Sequence, residues 1–280
     1  MKQPSSLPAV LLIGHGTRIC TGVAEFNTLA KNLQIALPDR VCMASFLEMV
    51  DPTIPHSLDI LYKKGFRSIT ALPAFLMAAS HIKKEIPALI QGFQAKHPEL
   101  KIIVGKELGI NANLIEIAKE RIENAESKFM GNYNRKDALL LMIGRGSSDT
   151  DANSNISKIS RILWEEMGFG WAETAYTAVT KPLIDDALGR IHLLDFKYLV
   201  IFPYLLFNGK VFELVCATID AYQAKYPKAR TAIVPYLNNH PLLTHIFLER
   251  LAQAEAYETC INCNCHSKMC CNPGHNHVNC

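Results

Sequence analysis

The sequence predicts an α/β protein of two similar lobes, each a roughly four-stranded parallel sheet with helices on both faces, the lobes facing one another across a cleft. Two observations carry this. Short apolar runs alternate with stretches that place Leu, Ile and Ala at three- and four-residue spacing, the strand–helix rhythm of a sheet covered on both sides. The same series then restarts after about 130 residues, the mark of a duplicated unit.

Taken in order, strand-like runs lie at Ala9–Ile13, Val41–Phe46, Ser68–Leu72 and Lys101–Val104. Helical patterns lie at Val23–Ala36, Thr53–Lys64, Ile82–Lys96 and Ala112–Lys128. Pro52 and Pro55 suit the first turn of the second helix, where a missing N–H costs nothing. The restart begins with Leu139–Ile143 and Gly144-Arg145-Gly146-Ser147, against Leu11–Ile13 and Gly14-His15-Gly16-Thr17. Phe202-Pro203-Tyr204-Leu205-Leu206 repeats Leu72-Pro73-Ala74-Phe75-Leu76 at the same offset of 130. Leu243 to Leu251 repeats Leu114 to Ile122 at 129, which implies a one-residue deletion in an intervening loop. The expected organisation is a first lobe over 1–130, a polar joint at Met130–Lys136, a second lobe over 137–256 and a tail over 257–280.

Composition excludes several classes. Of 280 residues, 49% are hydrophobic and 20% charged, so the chain is neither disordered nor supercharged. A net charge of +3 is too small to argue for nucleic acid. The apolar run Ala9–Ile13 is too short for a signal-peptide core, and no stretch approaches the roughly 18 apolar residues of a membrane span. A cytoplasmic protein without membrane partners is expected. Neither GxxxxGK[ST] nor GxGxxG occurs, which disfavours a nucleotide cofactor.

Open parallel sheets place ligands beyond the carboxyl ends of their strands, and the candidate residues fall there. Gly14-His15-Gly16-Thr17-Arg18 follows the first strand; its glycines allow a sharp turn, and a neutral imidazole can bind a metal or accept a proton. His81 follows the third strand beside the small residues Ala79 and Ser80, so two strand-end histidines can converge on one ion. Glu48, after the second strand, can complete a His/carboxylate site or take a proton. The duplication supplies an internal control. His15 aligns with Arg145, His81 with Lys210, and Glu48 with the neighbourhood of Ala178. One lobe offers ligands, and the other offers fixed cations suited to carboxylates of a polyanionic substrate.

The order of Gly-His-Gly-Thr-Arg, Phe-Leu-Glu, Leu-Pro-Ala-Phe-Leu and Ser-His-Ile-Lys-Lys-Glu-Ile-Pro resembles the CbiX-type sirohydrochlorin chelatases over residues 9–256, most closely the long, internally duplicated members. The resemblance implies a class II, ATP-independent chelatase fold and the insertion of a divalent metal into sirohydrochlorin. Cobalt, for cobalamin synthesis, is the expected metal; iron, for sirohaem, is the alternative, and nickel fits the same ligands. A non-catalytic tetrapyrrole or metal chaperone is the second class of reading. The family's two histidines fall on His15 and His81. Gly14, Gly16, Thr17, Arg18, Ala79, Ser80, Arg145 and Lys210 are expected to face the substrate, and Ala79-Ser80 stands where members commonly have Gly-Gly. A monomer is expected, because the duplication already supplies the second lobe.

Six of nine cysteines crowd the last 21 residues: Cys260, Cys263, Cys265, Cys270, Cys271 and Cys280, with His266, His275 and His277 among them. Cys-x2-Cys suits one metal ion, but the continuation fits no standard zinc spacing. An iron–sulfur cluster, as in the extension of the long chelatases, and a metal store remain alternatives, beside a tail without ordered metal.

Overall fold

In the computed structural model the residues described are 7–262, apart from 130, 195, 229 and 239, with the side chains of 257–262 also left aside. Lobe one runs β1 (Ala9–Gly14), α1 (Cys20–Ala36), β2 (Cys42–Phe46), α2 (Ile54–Lys63), β3 (Ser68–Pro73), a π-helical turn (His81–Glu85), α3 (Ile86–Gln94), β4 (Lys101–Val104) and α4 (Ala112–Glu126). Lobe two repeats it as β5 (Ala138–Gly144), α5 (Thr150–Met167), β6 (Trp171–Tyr176), α6 (Ile184–Ile191), β7 (Tyr198–Pro203), α7 (Lys210–Lys225), β8 (Arg230–Ile233) and α8 (Pro241–Asn262).

Both sheets are parallel, in the orders β2-β1-β3-β4 and β6-β5-β7-β8. Their registers repeat: Leu12 pairs with Ala44 and Leu72 as Met142 pairs with Thr174 and Phe202. Even local details recur. Met49 and Val179 both hold positive φ, and Asp51–Pro52 and Lys181–Pro182 are both cis. Pro52 therefore lies in the loop before α2, while Pro55 occupies its first turn as expected.

Several boundaries shift by one to three residues, as at α1, which begins at Cys20 rather than Val23; two departures have a local cause. The expected helix over 82–96 is split. Pro87 has no N–H to return to the Lys83 carbonyl, and ahead of it the chain widens by one residue, with the Ile86 N–H donating five residues back to His81. The last helix runs to Asn262 rather than ending near Tyr257, since neither Gly nor Pro interrupts it there.

Side chains alternate across each buried strand. In β1, Leu11 and Ile13 join α2 and α3 in one outer core, and Leu139, Leu141 and Ile143 of β5 join α6 and α7 in another. Val10 and Leu12 point the other way, into a core that contains Leu140 and Met142 of the second lobe. The terminal helices cross over within it. Helix α4 of lobe one packs on β7, β8 and α5, and α8 of lobe two packs on β3, β4 and α1.

Polar bonds pin the exchange. Arg40 grips the Glu255 carboxylate of α8 with two N–H groups at 2.6 and 3.0 Å, and the Thr70 hydroxyl donates to the same carboxylate at 3.0 Å. Arg121 of α4 donates to the Asn238 carbonyl, and Arg250 of α8 donates to the carbonyls of Glu107 and Leu108. The joint is anchored as well: the buried Glu126 accepts from Tyr133 and Arg135. Replacing Arg40 with Ala is expected to lower unfolding free energy by about 2 kcal/mol, because a partly buried carboxylate loses its charged donor. Urea denaturation checks this; an unchanged midpoint would contradict the pinning role.

Candidate metal centre and cleft

The turn that carries His15 is built by Gly16. Its φ is +96°, and a Cβ there would lie 1.9 Å from the Glu48 carbonyl oxygen, so the loop admits glycine alone. The two loops are stitched together as the Leu47 N–H donates to the Gly14 carbonyl and the Glu48 N–H to the His15 carbonyl. Gly146 makes the same approach to Ala178 in lobe two, also at 1.9 Å. Duplicated backbone thus presents His15 in one lobe and Arg145 in the other.

His15 and His81 meet edge to face, with ring centroids 4.8 Å apart, and Phe75 lies beside both at 6.4 and 6.2 Å. The Nδ1 of His15 lies 3.2 Å from the Gly16 carbonyl, which selects the Nδ1–H tautomer and leaves a lone pair on Nε2. That Nε2 is buried and has no hydrogen-bond partner; the nearest carboxylate oxygen, from Glu48, is 3.5 Å away. His81 Nδ1 is buried too and lies 2.9 Å from Glu85, but the angles do not make a hydrogen bond. Buried polar atoms normally find partners. Two buried imidazole nitrogens without hydrogen-bond partners, on neighbouring rings, are lone pairs that a cation could use. Among the described residues no group of three or more His, Cys, Asp or Glu is arranged to hold a metal, so two imidazoles leave most of an ion's coordination sphere open.

Electrostatics favour the neutral form. Burial first, then the nearby Arg145 and His81 charges, push the His15 pKa below its ordinary 6.5, against the opposing pull of the Gly16 carbonyl and Glu48. The imidazole therefore keeps its lone pair at neutral pH, as metal binding requires.

A cavity of about 340 Å³ opens between the lobes beside these histidines. Phe75, Met77, Ala79, Ser80 and His81 line it from lobe one, and Arg145, Ser147 and Val179 from lobe two. Val179, 72% exposed with φ 69°, puts an apolar side chain at the rim, and its counterpart Met49 is likewise exposed with positive φ. A second cavity, about 370 Å³, lies at the amino ends of β7 and β8, away from the strand-end loops.

The expected residues divide accordingly. His15, His81, Glu48, Ala79, Ser80, Gly14, Gly16 and Arg145 come together at one rim. Thr17 turns back to accept from the Ile19 N–H, and Arg18 is exposed. Lys210 opens α7 where His81 opens the π turn, but its neighbour Gly209 lies beside Thr17, so it stands on the other flank of the cleft. Glu85 went unnoticed in the sequence, although its place four residues after His81 was the available signal. The Cys and His residues of the tail lie outside the described residues, apart from the backbone of Cys260 in α8. Among the described residues no helix is long and apolar enough to cross a membrane.

A duplicated parallel α/β scaffold with two imidazoles at one strand-end rim and a fixed cation facing them defines a metal-handling protein. The CbiX family model matches residues 9–125 and again 139–254, so the chain belongs to the CbiX family. A sirohydrochlorin cobaltochelatase of Priestia megaterium is 31% identical over 92% of this chain and 83% of its own length. A sirohydrochlorin ferrochelatase of the same organism is 28% identical over 88% of this chain and 90% of its own. The structure of SirB from Bacillus subtilis with Fe3+ superposes with a TM-score of 0.77 and 25% identity, covering 90% of this chain and 97% of that one.

The geometry predicts that His15, followed by NMR of its imidazole protons, titrates below 6.5 and that Arg145→Gln raises its pKa. A pKa at or above 6.5 in the unaltered protein would contradict the burial argument.

Proposed function

We propose that this protein inserts a divalent metal, cobalt in preference to iron, into sirohydrochlorin without nucleotide hydrolysis. The observation that carries the reading is the pair of buried, unpartnered nitrogens, His15 Nε2 and His81 Nδ1, on rings 4.8 Å apart. The ion is substrate. Held by two neutral imidazoles, it keeps open positions for incoming pyrrole nitrogens, which suits an ion that must be released.

The macrocycle loses two pyrrole N–H protons as a divalent ion enters, so its net charge is conserved and two protons need acceptors. Glu48 and Glu85, at 3.5 and 2.9 Å from the imidazole nitrogens, are half-exposed carboxylates able to receive protons and pass them to solvent. The eight carboxylates of sirohydrochlorin call for cations. Arg145 beside His15 and Lys210 on the far flank of the cleft supply them, and neither is tied up in an ion pair among the described residues. Ser80 and the glycine backbone add donors along the rim, while Thr17 and the exposed Arg18 stand off it.

Cobalt is supported by the cobaltochelatase relative, which is the more similar of the two P. megaterium enzymes. Iron is the second reading, supported by the ferrochelatase relatives and by the iron-bound SirB structure. Imidazole and carboxylate ligands accept both metals. The Cys/His-rich tail enters no step of this reading.

Anaerobic insertion assays with Co2+ and Fe2+ test it: faster cobalt insertion is expected. His15→Ala and His81→Ala are each expected to lower insertion at least about 100-fold with an unchanged melting temperature. Normal turnover in either variant would overturn the assignment. Insertion should also fall as pH drops through the lowered His15 pKa, so the acid limb lies below 6.5.

A further inference from the structure

The two lobes meet through two pairs of strand-end loops, and the pairs are not alike. On one side the loop after β7 closes tightly on α1. The Asn208 N–H and the Tyr236 hydroxyl both donate to Glu25, the Asn208 amide donates to Thr21, and the Asn208 carbonyl crowds Gly22. On the other side the loop after β3 stands off α5, and the 340 Å³ cavity fills the gap. An ion pair bridges that gap: Lys83 Nζ lies 2.5 Å from Asp149 and 3.7 Å from Asp151.

The bridge is not part of the duplicated scaffold. By the repeat, Phe212 stands where Lys83 does, and Ile19 where Asp149 does. The charges occur at the loop pair that encloses the 340 Å³ cavity. Lys83 sits between His81 and Glu85 on the π turn, and it is 42% exposed. Asp149 has a second occupation, since its side chain caps α5 by accepting from the Asp151 and Ala152 N–H groups. If Lys83 leaves, Asp149 keeps those partners and is not orphaned. An exposed lysine–carboxylate pair contributes little net stability, and the flexible lysine stem lets its ammonium move to another carboxylate.

We propose that Lys83 binds a carboxylate of the substrate macrocycle and that Asp149, with Asp151, occupies Lys83 until that carboxylate replaces them. This rests on the proposed function and adds to it a lobe-one cation that sequence alignment of the two repeats did not reveal.

The test is equilibrium binding of metal-free sirohydrochlorin to the full chain, followed by tetrapyrrole absorbance or fluorescence. Partners in a merely structural bridge would behave alike when removed. Here opposite signs are expected. Lys83→Gln should weaken binding about fivefold, and Asp149→Asn with Asp151→Asn should tighten it about fivefold. Asparagine keeps the helix cap, so the second variant should fold. Lys83→Arg should retain wild-type affinity. Adding K83Q to the double asparagine variant should abolish the gain. A gain that survives without Lys83 would mean general electrostatics, and shifts of the same sign would mean a structural latch; either overturns the proposal. Failure of the unaltered protein to bind sirohydrochlorin would overturn the function and this inference together. Normal binding and insertion with no difference among the variants would overturn this inference alone.

Discussion

The exchange of terminal helices fixes where everything else stands. Helix α4 belongs to the first repeat by sequence and to the second sheet by packing; α8 does the reverse. The inner faces of both sheets consequently share one apolar core, in which Val10 and Leu12 lie with Leu140 and Met142. Burial of this area is the dominant favourable term, and it cannot be satisfied by either lobe alone. Because both sheets are parallel, all their helix-entering turns gather at the carboxyl ends of the strands, and the shared core holds the two sets of turns face to face. A cleft between lobes is the geometric result. Arg40, Thr70 and Glu255 add direction to a force that has none of its own.

On this near-symmetric frame the chemistry is asymmetric. Gly16 and Gly146 press on the Glu48 and Ala178 carbonyls of their own lobes in the same way, yet the residue before them is His15 in one case and Arg145 in the other. The arginine acts on the histidine as well. Its charge is one of the causes, after burial, that keep His15 neutral. The proposed roles are thus electrostatically consistent: the cation proposed to meet an acidic macrocycle also disfavours a proton on the imidazole proposed to hold the ion.

Much of this was legible in the sequence, because the fold depends on periodicity and the site depends on strand ends. Strands β1, β3 and β5 are short apolar runs, and the two histidines follow β1 and β3 closely. The offset of 130 makes Arg145 the repeat equivalent of His15. What remained hidden was tertiary. Nothing local in Ala112–Glu126 says that this helix covers the other repeat's sheet. Pro87 was visible, but its consequence, a π turn that carries His81, Lys83 and Glu85 together, depends on how the chain relieves a missing N–H. Lys210 opens its helix as the repeat implied and yet stands apart from the histidines, because the loop before it packs on Thr17 and α1 instead.

The central claim is that lobe one alone ligates the incoming metal. Anomalous scattering at the cobalt edge, from crystals of the full chain with Co2+, tests it most directly. The account predicts a peak about 2.1 Å from one nitrogen each of His15 and His81, on the cavity side facing Arg145. A body-bound cobalt ligated by lobe-two residues, or an empty His15–His81 pair in crystals whose body binds cobalt elsewhere, would contradict it.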